Sequence, residues 1–320
     1  MSPNNPPLLL NRSSWTENVL PVYPSGIFGK TCKTITEPPP RAPVHYPTVK
    51  EFTLRQLPKV MRNILKWPVS AAVMQLWFSL PARELTDNEK EGLIKPRDIP
   101  QDYVNSDLIK WAWLNRFERV HKAEAELMAI LGTPNAADVL GNRIKRRANV
   151  TTKLSSQTPV QIQNNPQSSS DLHSDWQFQF VKVGYKMNQV DDLYGALGNF
   201  MLAAAVTKAQ LVLLRPGMAR LSVREVGLYV RDTFDFIGQQ YLGHWSEKGL
   251  ALQPIAMATN VPSDMPSWHM PAWHPRMGWL KPVNNSDFRT LRNATQRGGD
   301  LLLLSDVKLK PVKMDIEVKL

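Results

Sequence analysis

Cysteine is almost absent from this chain of 320 residues, in which Cys32 is the single cysteine. One cysteine excludes an internal disulfide and fits synthesis in a reducing cytoplasm. No apolar run approaches the roughly 18 residues that span a bilayer, and the start, MSPNNPPLLLNRSS, has no basic region before its leucines. We therefore expect neither a membrane anchor nor export by the general secretory route.

Nucleophile motifs are also missing. No serine lies in a GxSxG sequence, and Cys32 falls in a proline-rich stretch without periodicity. A serine hydrolase needs its nucleophile on a sharp strand-to-helix turn, and a cysteine protease needs an ordered thiolate. We therefore expect neither a serine hydrolase nor a cysteine protease.

Acidic residues are outnumbered, because 28 Asp and Glu stand against 39 Lys and Arg and give a net charge of +11. Such a charge favours contact with anionic lipid, lipopolysaccharide or another anionic component. The charge is concentrated only locally, at Arg143–Arg147 and in the C-terminal lysines Lys308, Lys310, Lys313 and Lys319. Spread charge is typical of a soluble protein, so we do not expect a nucleic-acid partner.

Periodicity divides the chain into four parts. Proline-rich residues 1–48 predict an extended or disordered lead, and residues 49–148 predict a helical unit. Polar residues 149–174 predict a linker or long surface loop, and residues 175–320 predict a β-rich unit. The expected fold class is α+β, with a helical N-terminal unit followed by a mostly antiparallel β-sheet unit.

Individual elements follow from the same patterns. Helices are predicted at Leu57–Leu65, Val69–Leu80, Ser106–Leu131, Asn135–Ala148 and Asp287–Gln296. Strands are predicted in WQFQFVKVGY from Trp176, at Asn199–Val206, Gln210–Leu214, within Arg220–Trp245, and at Leu250–Ala258, Asp300–Val307 and Val312–Val318. The proline-rich sequence VPSDMPSWHMPAWHPRMGW predicts a long loop.

The segment Arg220–Trp245 is the one place where a strand pattern meets two acids. Alternation around Tyr229 continues to Asp232, which would lie on the buried face if the strand is unbroken, while Asp235 would point outward with Tyr229. A bare buried carboxylate is costly unless it is paired, hydrogen-bonded or protonated. The alternative is that Asp232 caps a turn and Gly238 closes a hairpin to the strand that follows.

Asp232, Asp235 and His244 are the candidate catalytic residues. Two nearby carboxylates are the minimum for holding a hard metal and polarising a water in phosphoester cleavage. Imidazole titrates near neutral pH, so His244 is a candidate general acid or base. The alternative is a hairpin with capped acids and a histidine packed beside Trp245.

A second candidate site lies in the proline-rich loop. Its members are Trp268, His269, Trp273 and His274, with Asp264 nearby. Two histidines and a carboxylate can bind zinc, but structural zinc sites usually have four ligands, tighter spacing and cysteine support. The loop therefore favours a packed or partner-binding aromatic surface, and the sequence assigns no metal.

Five ordered blocks of the chain resemble a bacterial family of unknown function that is associated with VgrG and other type VI secretion genes. The blocks begin at Met61 (MRNILKWPVSAAVMQLWFSLP), Ser106 (SDLIKWAWLNRFERVHKAEAEL), Asp191 (DDLYGALGNFMLAAAV), Val226 (VGLYVRDTFDFIGQQYLGHW) and Phe288 (FRTLRNATQRGGDLLLLSDV). The resemblance implies cargo or an accessory protein of a contractile secretion system. Such a protein is made in the cytoplasm and secreted without a signal peptide.

A shorter stretch resembles the activity domain of colicin M-type bacteriocins, which hydrolyse the lipid-linked peptidoglycan precursor with magnesium. LGNFMLAAAV is followed by a strand that ends in DTFDF, so Asp232 and Asp235 match the acids of that family's Asp-x-Tyr-Asp element. Phe234 replaces the tyrosine, Tyr241 stands in the place of the family's histidine, and His244 comes three residues later. The resemblance implies an antibacterial toxin that acts on the envelope.

The sequence therefore predicts a type VI secretion-associated effector or accessory protein. Two alternatives remain open. One is a non-catalytic adaptor that docks on VgrG, on a partner effector or on an anionic envelope component, and the other is an immunity protein.

Overall fold

A computed structural model of the chain describes residues 52–184, 190–252 and 271–320. These residues belong to one compact unit, residues 49–320. The fold class is α+β as predicted, with most helices in the N-terminal part and most strands in the C-terminal part. The predicted lead, with Cys32, lies outside the described residues.

The helices are mostly short. They are α1 (Leu57–Asn63), α2 (Pro68–Ser79), α3 (Asp87–Glu91), α4 (Trp111–Leu114), α5 (Glu118–Ala129), α6 (Pro134–Lys145), α7 (Ala148–Thr151), α8 (Ser169–Trp176), α9 (Asp192–Leu197) and α10 (Asn285–Thr295). Single 3-10 turns occur at Leu54–Gln56, Pro96–Asp98 and Gln101–Tyr103. Within the described residues, none of the helices has the length and apolar character needed to cross a membrane.

The strands form two sheets. They are β1 (Val104–Ile109), β2 (Val160–Gln163), β3 (Gln177–Val183), β4 (Phe200–Arg215), β5 (Met218–Phe234), β6 (Tyr241–Ser246), β7 (Gly249–Ala251), β8 (Ala272–His274), β9 (Gly278–Asn284), β10 (Leu301–Ser305) and β11 (Lys308–Lys319). A seven-stranded mixed sheet has the order β1-β10-β5-β4-β2, with β11 beside β5 and β3 beside β4. A four-stranded antiparallel sheet has the order β7-β6-β9-β8.

The long antiparallel pair β4 and β5 is the centre of the larger sheet. Every residue of β5 from Val226 to Asp232 is buried, so that part of the sheet is covered on both faces. Helix α8 covers one of these faces, and its His173 Nδ1 lies 3.0 Å from the phenol oxygen of Tyr229. The expectation that Tyr229 points outward is therefore wrong, because α8 covers its side of the strand.

Helix α8 comes from the residues expected to form a linker or long surface loop. Residues 149–174 contain β2, which pairs with β4, and most of α8. Ile162 of β2 and Leu172 of α8 are buried in the common core. This stretch has few apolar residues, but Ile162 and Leu172 are buried in the core beside the larger sheet.

The predicted continuous helix from Ser106 to Leu131 is wrong in its first half. Residues Val104–Ile109 form β1, which pairs in parallel with β10. The Trp111 backbone N–H then donates to Asp306 Oδ1 at 2.6 Å, and a separate long helix begins at Glu118. Tertiary pairing with the apolar strand β10 overrides the local helical pattern.

The predicted hairpin at Gly238 is also wrong. Strand β5 continues through Asp232 to Phe234, and β6 pairs with β7 and β9 of the smaller sheet instead of with β5. The two predicted strands on either side of residues 207–209 are one strand, β4. The described end of the predicted long loop forms the hairpin β8–β9.

The predicted helices at α1, α2, α6 and α10 and the strands β3, β10 and β11 are confirmed within a few residues. Helix α2 begins at Pro68, a residue that suits the first helical turn. Only the start of the predicted Leu250–Ala258 strand can be compared, as β7, because residues 253–270 lie outside the described residues.

Candidate functional site

A cavity of about 590 Å³ lies where the two sheets and the first helices meet. Its walls come from α1, α2, α9, the end of β5, the strands β6 and β7, and the start of α10. Most of the side chains that line it are apolar, among them Met61, Met74 and Leu250. Leu252 and Ile237 are exposed at its rim, so solvent reaches the cavity.

Asp232 and Asp235 both line this cavity. Asp232 is buried on β5, opposite Leu303 of β10. Its neighbour Arg231 points to the other side of the sheet, where its guanidinium donates to the carbonyls of Glu89 and Lys90 at the end of α3. Burial raises the pKa of the Asp232 carboxyl well above its usual range, and the charge of Asp235 raises this pKa further. Asp232 is therefore protonated over a wider pH range than an ordinary aspartate.

Asp235 follows the last residue of β5 and is half-buried. Its Oδ1 accepts a hydrogen bond from the Ile237 backbone N–H at 3.4 Å. The charge of Asp235 also acts on Asp300, a fully buried carboxyl whose pKa is raised chiefly by burial. The end of β5 thus brings the two predicted acids to one wall of the cavity, with a third carboxyl behind them.

Tyr241 lies on β6, in the cavity wall, and its phenol oxygen forms a short hydrogen bond with His244 Nδ1. Burial raises the pKa of the Tyr241 phenol to about 12, so its hydroxyl keeps its proton at neutral pH. His244 is fully buried and is not among the residues that line the cavity. The predicted acid–base histidine therefore contacts the cavity wall through Tyr241.

An aromatic cluster supports the acids from behind. Phe236 and Phe288 stack with ring centroids 3.8 Å apart, and Trp77 packs edge-on against both. Trp77 Nε1 donates to Asp300 Oδ1 at 3.2 Å, and Arg292 pairs with the same carboxylate at 3.0 Å. The cluster fixes the residues that follow β5 because Phe236 lies one residue beyond Asp235.

The second predicted site is only partly described. Trp268 and His269, with Asp264, lie outside the described residues. Trp273 is exposed on β8, directly opposite Trp279 of β9. His274 Nδ1 accepts hydrogen bonds from the backbone N–H groups of Arg276 and Met277, both at 3.2 Å, and so stabilises the turn between the two strands.

The colicin M resemblance implies magnesium, but the side chains that line the cavity offer few ligands for it. Over residues 52–184, 190–252 and 271–320, no group of three or more His, Cys, Asp or Glu side chains lies close enough together to hold a metal ion. Burial also favours the neutral form of the Asp232 carboxyl by raising its pKa, and a neutral carboxyl is a poor ligand for a hard cation. These side chains therefore do not fit a magnesium ion.

Sequence reasoning missed two residues. In the sequence, Tyr241 stands only in the place of a histidine of the colicin M-type family, and its position on the cavity wall depends on the pairing of β6 with β9. Trp279 is the last residue of the sequence that predicts a long loop. The sequence contains a signal for a hairpin at this residue, because Trp273 and Trp279 flank the turn residues HPRMG. In the structure, Gly278 of this turn has a positive φ of 77°.

The fold is thus an α+β unit with an acid-bearing, largely apolar cavity between its two sheets. Residues 52–320 match the model of a family described as a family of unknown function (DUF6402), and the chain belongs to this family. Comparisons with curated proteins and with solved structures return no match.

Proposed function

We propose that the protein is a type VI secretion-associated effector that hydrolyses an envelope substrate in the cavity at the end of β5. The observation that carries the proposal is that Asp232 and Asp235 line one solvent-reached cavity. Two carboxyl groups in different environments are the usual basis of acid–base catalysis. The secretion context comes from the resemblance of the five sequence blocks.

The two acids have different tasks in this proposal. Asp232, whose neutral form burial favours by raising its pKa, donates a proton to the leaving oxygen of the scissile bond. Asp235, nearer to solvent, accepts a proton from the attacking water. Tyr241, held by His244, donates a hydrogen bond to a substrate oxygen. The apolar walls suit an apolar group on the substrate, and the colicin M resemblance suggests a lipid-linked cell-wall precursor.

Growth inhibition tests this proposal. The full chain is fused to an export signal, produced in a bacterium, and compared with the same chain retained in the cytoplasm. We expect the exported parent to inhibit growth and Asp235→Asn to abolish the effect, because the base is lost while the shape is kept. Asp232→Asn and Tyr241→Phe should reduce the growth-inhibitory activity at least about tenfold, the usual scale for loss of one acid–base or hydrogen-bonding group.

Asp315→Asn is the matched control, because Asp315 is an exposed acid on β11 and is not among the residues that line the cavity. Asp315→Asn should inhibit growth as the parent does. If Asp232→Asn and Asp235→Asn inhibit growth as strongly as the parent, the hydrolytic proposal is wrong. If the parent inhibits growth only when a partner protein is produced with it, the adaptor role is favoured. If the parent instead protects the bacterium against a neighbouring toxin, the protein is an immunity protein.

Association with VgrG is a separate part of the proposal and is supported by the sequence resemblance alone. Co-purification of the tagged chain with VgrG from the same genome tests it. Loss of the toxin activity in the acid variants should leave this association unchanged, because the acids are inside the cavity.

A further inference from the structure

Two tryptophans on the hairpin β8–β9 form the most conspicuous exposed apolar surface of the described residues. The Trp273 and Trp279 side chains are 54% and 53% exposed, and the two residues are direct cross-strand partners. Partners in an antiparallel pair project from the same face of the sheet. The opposite face of the hairpin buries Ala272 and Leu280. We call Trp273 and Trp279 the tryptophan patch.

Single exposed apolar residues are common on protein surfaces. Phe180 on β3 and Leu309 on β11 are examples. Two adjacent exposed indoles differ from these because each adds a large apolar area with an N–H group at its edge. Side chains with this combination concentrate where an apolar phase meets water, as at the interface of a bilayer.

The charge around the tryptophan patch has one prevailing sign. Across residues 241–252 and 271–284, which form the smaller sheet, Glu247 is the single acid, against Lys248, Arg276 and Lys281. Glu247 accepts a hydrogen bond from Gln56 Nε2 at 2.6 Å. Arg276 is exposed in the β8–β9 turn, and the turn that carries Lys248 lies beside it, because a Cβ on Gly249 would be 3.1 Å from Met277 Sδ.

We infer that the tryptophan patch docks the protein on an anionic phospholipid bilayer. The two indoles enter the interface, and Arg276 and Lys248 contact the anionic headgroups. The net charge of +11 acts in the same direction at long range. This surface lies outside the acid cavity, so the inference does not depend on the proposed hydrolysis.

Sedimentation of the full chain with vesicles tests the inference. We expect the parent to sediment with vesicles of phosphatidylcholine and phosphatidylglycerol, to sediment less at high salt, and to remain in solution with phosphatidylcholine alone. The double variant Trp273→Ala/Trp279→Ala should lose roughly tenfold or more in apparent affinity because the apolar anchors are gone. Arg276→Ala should weaken binding at low salt and reduce its salt dependence.

Phe180→Ala is the matched control, because it removes an exposed aromatic ring, 39% exposed, from the other sheet. It should bind vesicles as the parent does. Quenching of tryptophan fluorescence by brominated lipid should be present in the parent and reduced in the double variant, which checks the docked surface directly. Vesicle binding that is equal in the parent and the double variant overturns the inference. Capture of a protein or a glycan through the patch, without vesicle binding by the parent, overturns it as well.

Discussion

Asp232 is the residue at which folding stability and the proposed chemistry oppose each other. Its carboxyl is buried within β5, and burial raises its pKa well above the ordinary value. The folded protein therefore holds a proton that the unfolded chain has already released. An acid maintained in this way suits proton donation, and its ionisation disfavours folding.

The sign of the resulting pH dependence follows from the number of protons bound. Below the pKa of an unfolded aspartate, about 3.9, both states are protonated and Asp232 imposes no penalty. As the pH rises from there to the raised pKa of the folded protein, the unfolded state binds fewer protons and stability falls. Neutral pH lies well above the pKa of the unfolded aspartate, so the protein carries this penalty at neutral pH.

Asp232→Asn should therefore stabilise the protein at neutral pH. Asparagine removes the ionisable group, so we expect the free energy of unfolding at neutral pH to rise. Urea unfolding at a series of pH values measures this difference, which should disappear at acid pH. Asp315→Asn, at an exposed position on β11, should show no such gain. A less stable Asp232→Asn protein at neutral pH would contradict the account of Asp232.

The sequence pattern predicts the buried position of Asp232, but it does not predict that Tyr241 lies on the same cavity wall. Alternation along β5 was sufficient to place Asp232 on a buried face, because strand periodicity is a local property. Tyr241 and His244 are separated from β5 by a change of sheet, and no local pattern reveals that change. Residues whose positions depend on pairing between distant strands are therefore the ones that sequence reasoning misplaced.

At the scale of elements, the contact between α2 and the turn before β10 supports the cavity. Gly298 has a φ of 107°, and a Cβ at this position would lie 2.4 Å from the Trp77 ring. Trp77 is fully buried and packs on Phe236 and Phe288, which line the cavity. The glycine is required twice, for its backbone conformation and for the close approach of the indole.

Gly298→Ala should therefore destabilise the protein by roughly 3 kcal/mol, the sum expected of backbone strain and a core clash. The melting temperature and the midpoint of urea unfolding measure the loss. Gly238→Ala is the control, because Gly238 also has a positive φ, 70°, but no atom lies within 4 Å of an added Cβ. It should cost only about 1 kcal/mol from strain. Equal losses in the two variants would show that the Trp77 contact contributes nothing.

Elements with strong local signals were predicted well, and elements made by tertiary pairing were not. Helix α2 has Pro68 in its first turn and buries an apolar stripe that includes Met74 and Trp77. Strand β1 has the apolar spacing of a helix in its sequence, and it becomes a strand because β10 pairs with it. The mixed sheet therefore could not be predicted from periodicity alone.

At the scale of the whole molecule, the helical part and the sheets share one core. A single cluster of buried apolar residues extends from Phe52 to Val318. Asp192, at the start of α9, joins the two parts. Its carboxylate accepts hydrogen bonds from the Ser70 backbone N–H at 2.9 Å, the Ser70 hydroxyl at 2.8 Å and Trp113 Nε1 at 3.0 Å. The carboxylate also satisfies the first free N–H groups of α2, a helix whose own N-cap residue provides no side-chain cap.

Asp192→Ala should destabilise both parts together, because it leaves several buried donors without an acceptor. We expect a loss of roughly 3 kcal/mol in the free energy of unfolding. Far-ultraviolet circular dichroism, which follows the helices, and tryptophan fluorescence, which follows the core, should give the same lowered midpoint in urea. Asp138→Ala, at an exposed position of α6, should leave that midpoint unchanged. If the two probes gave separated transitions in the variant, with one of them at the parent's midpoint, part of the molecule would unfold independently and Asp192 would not couple the two parts.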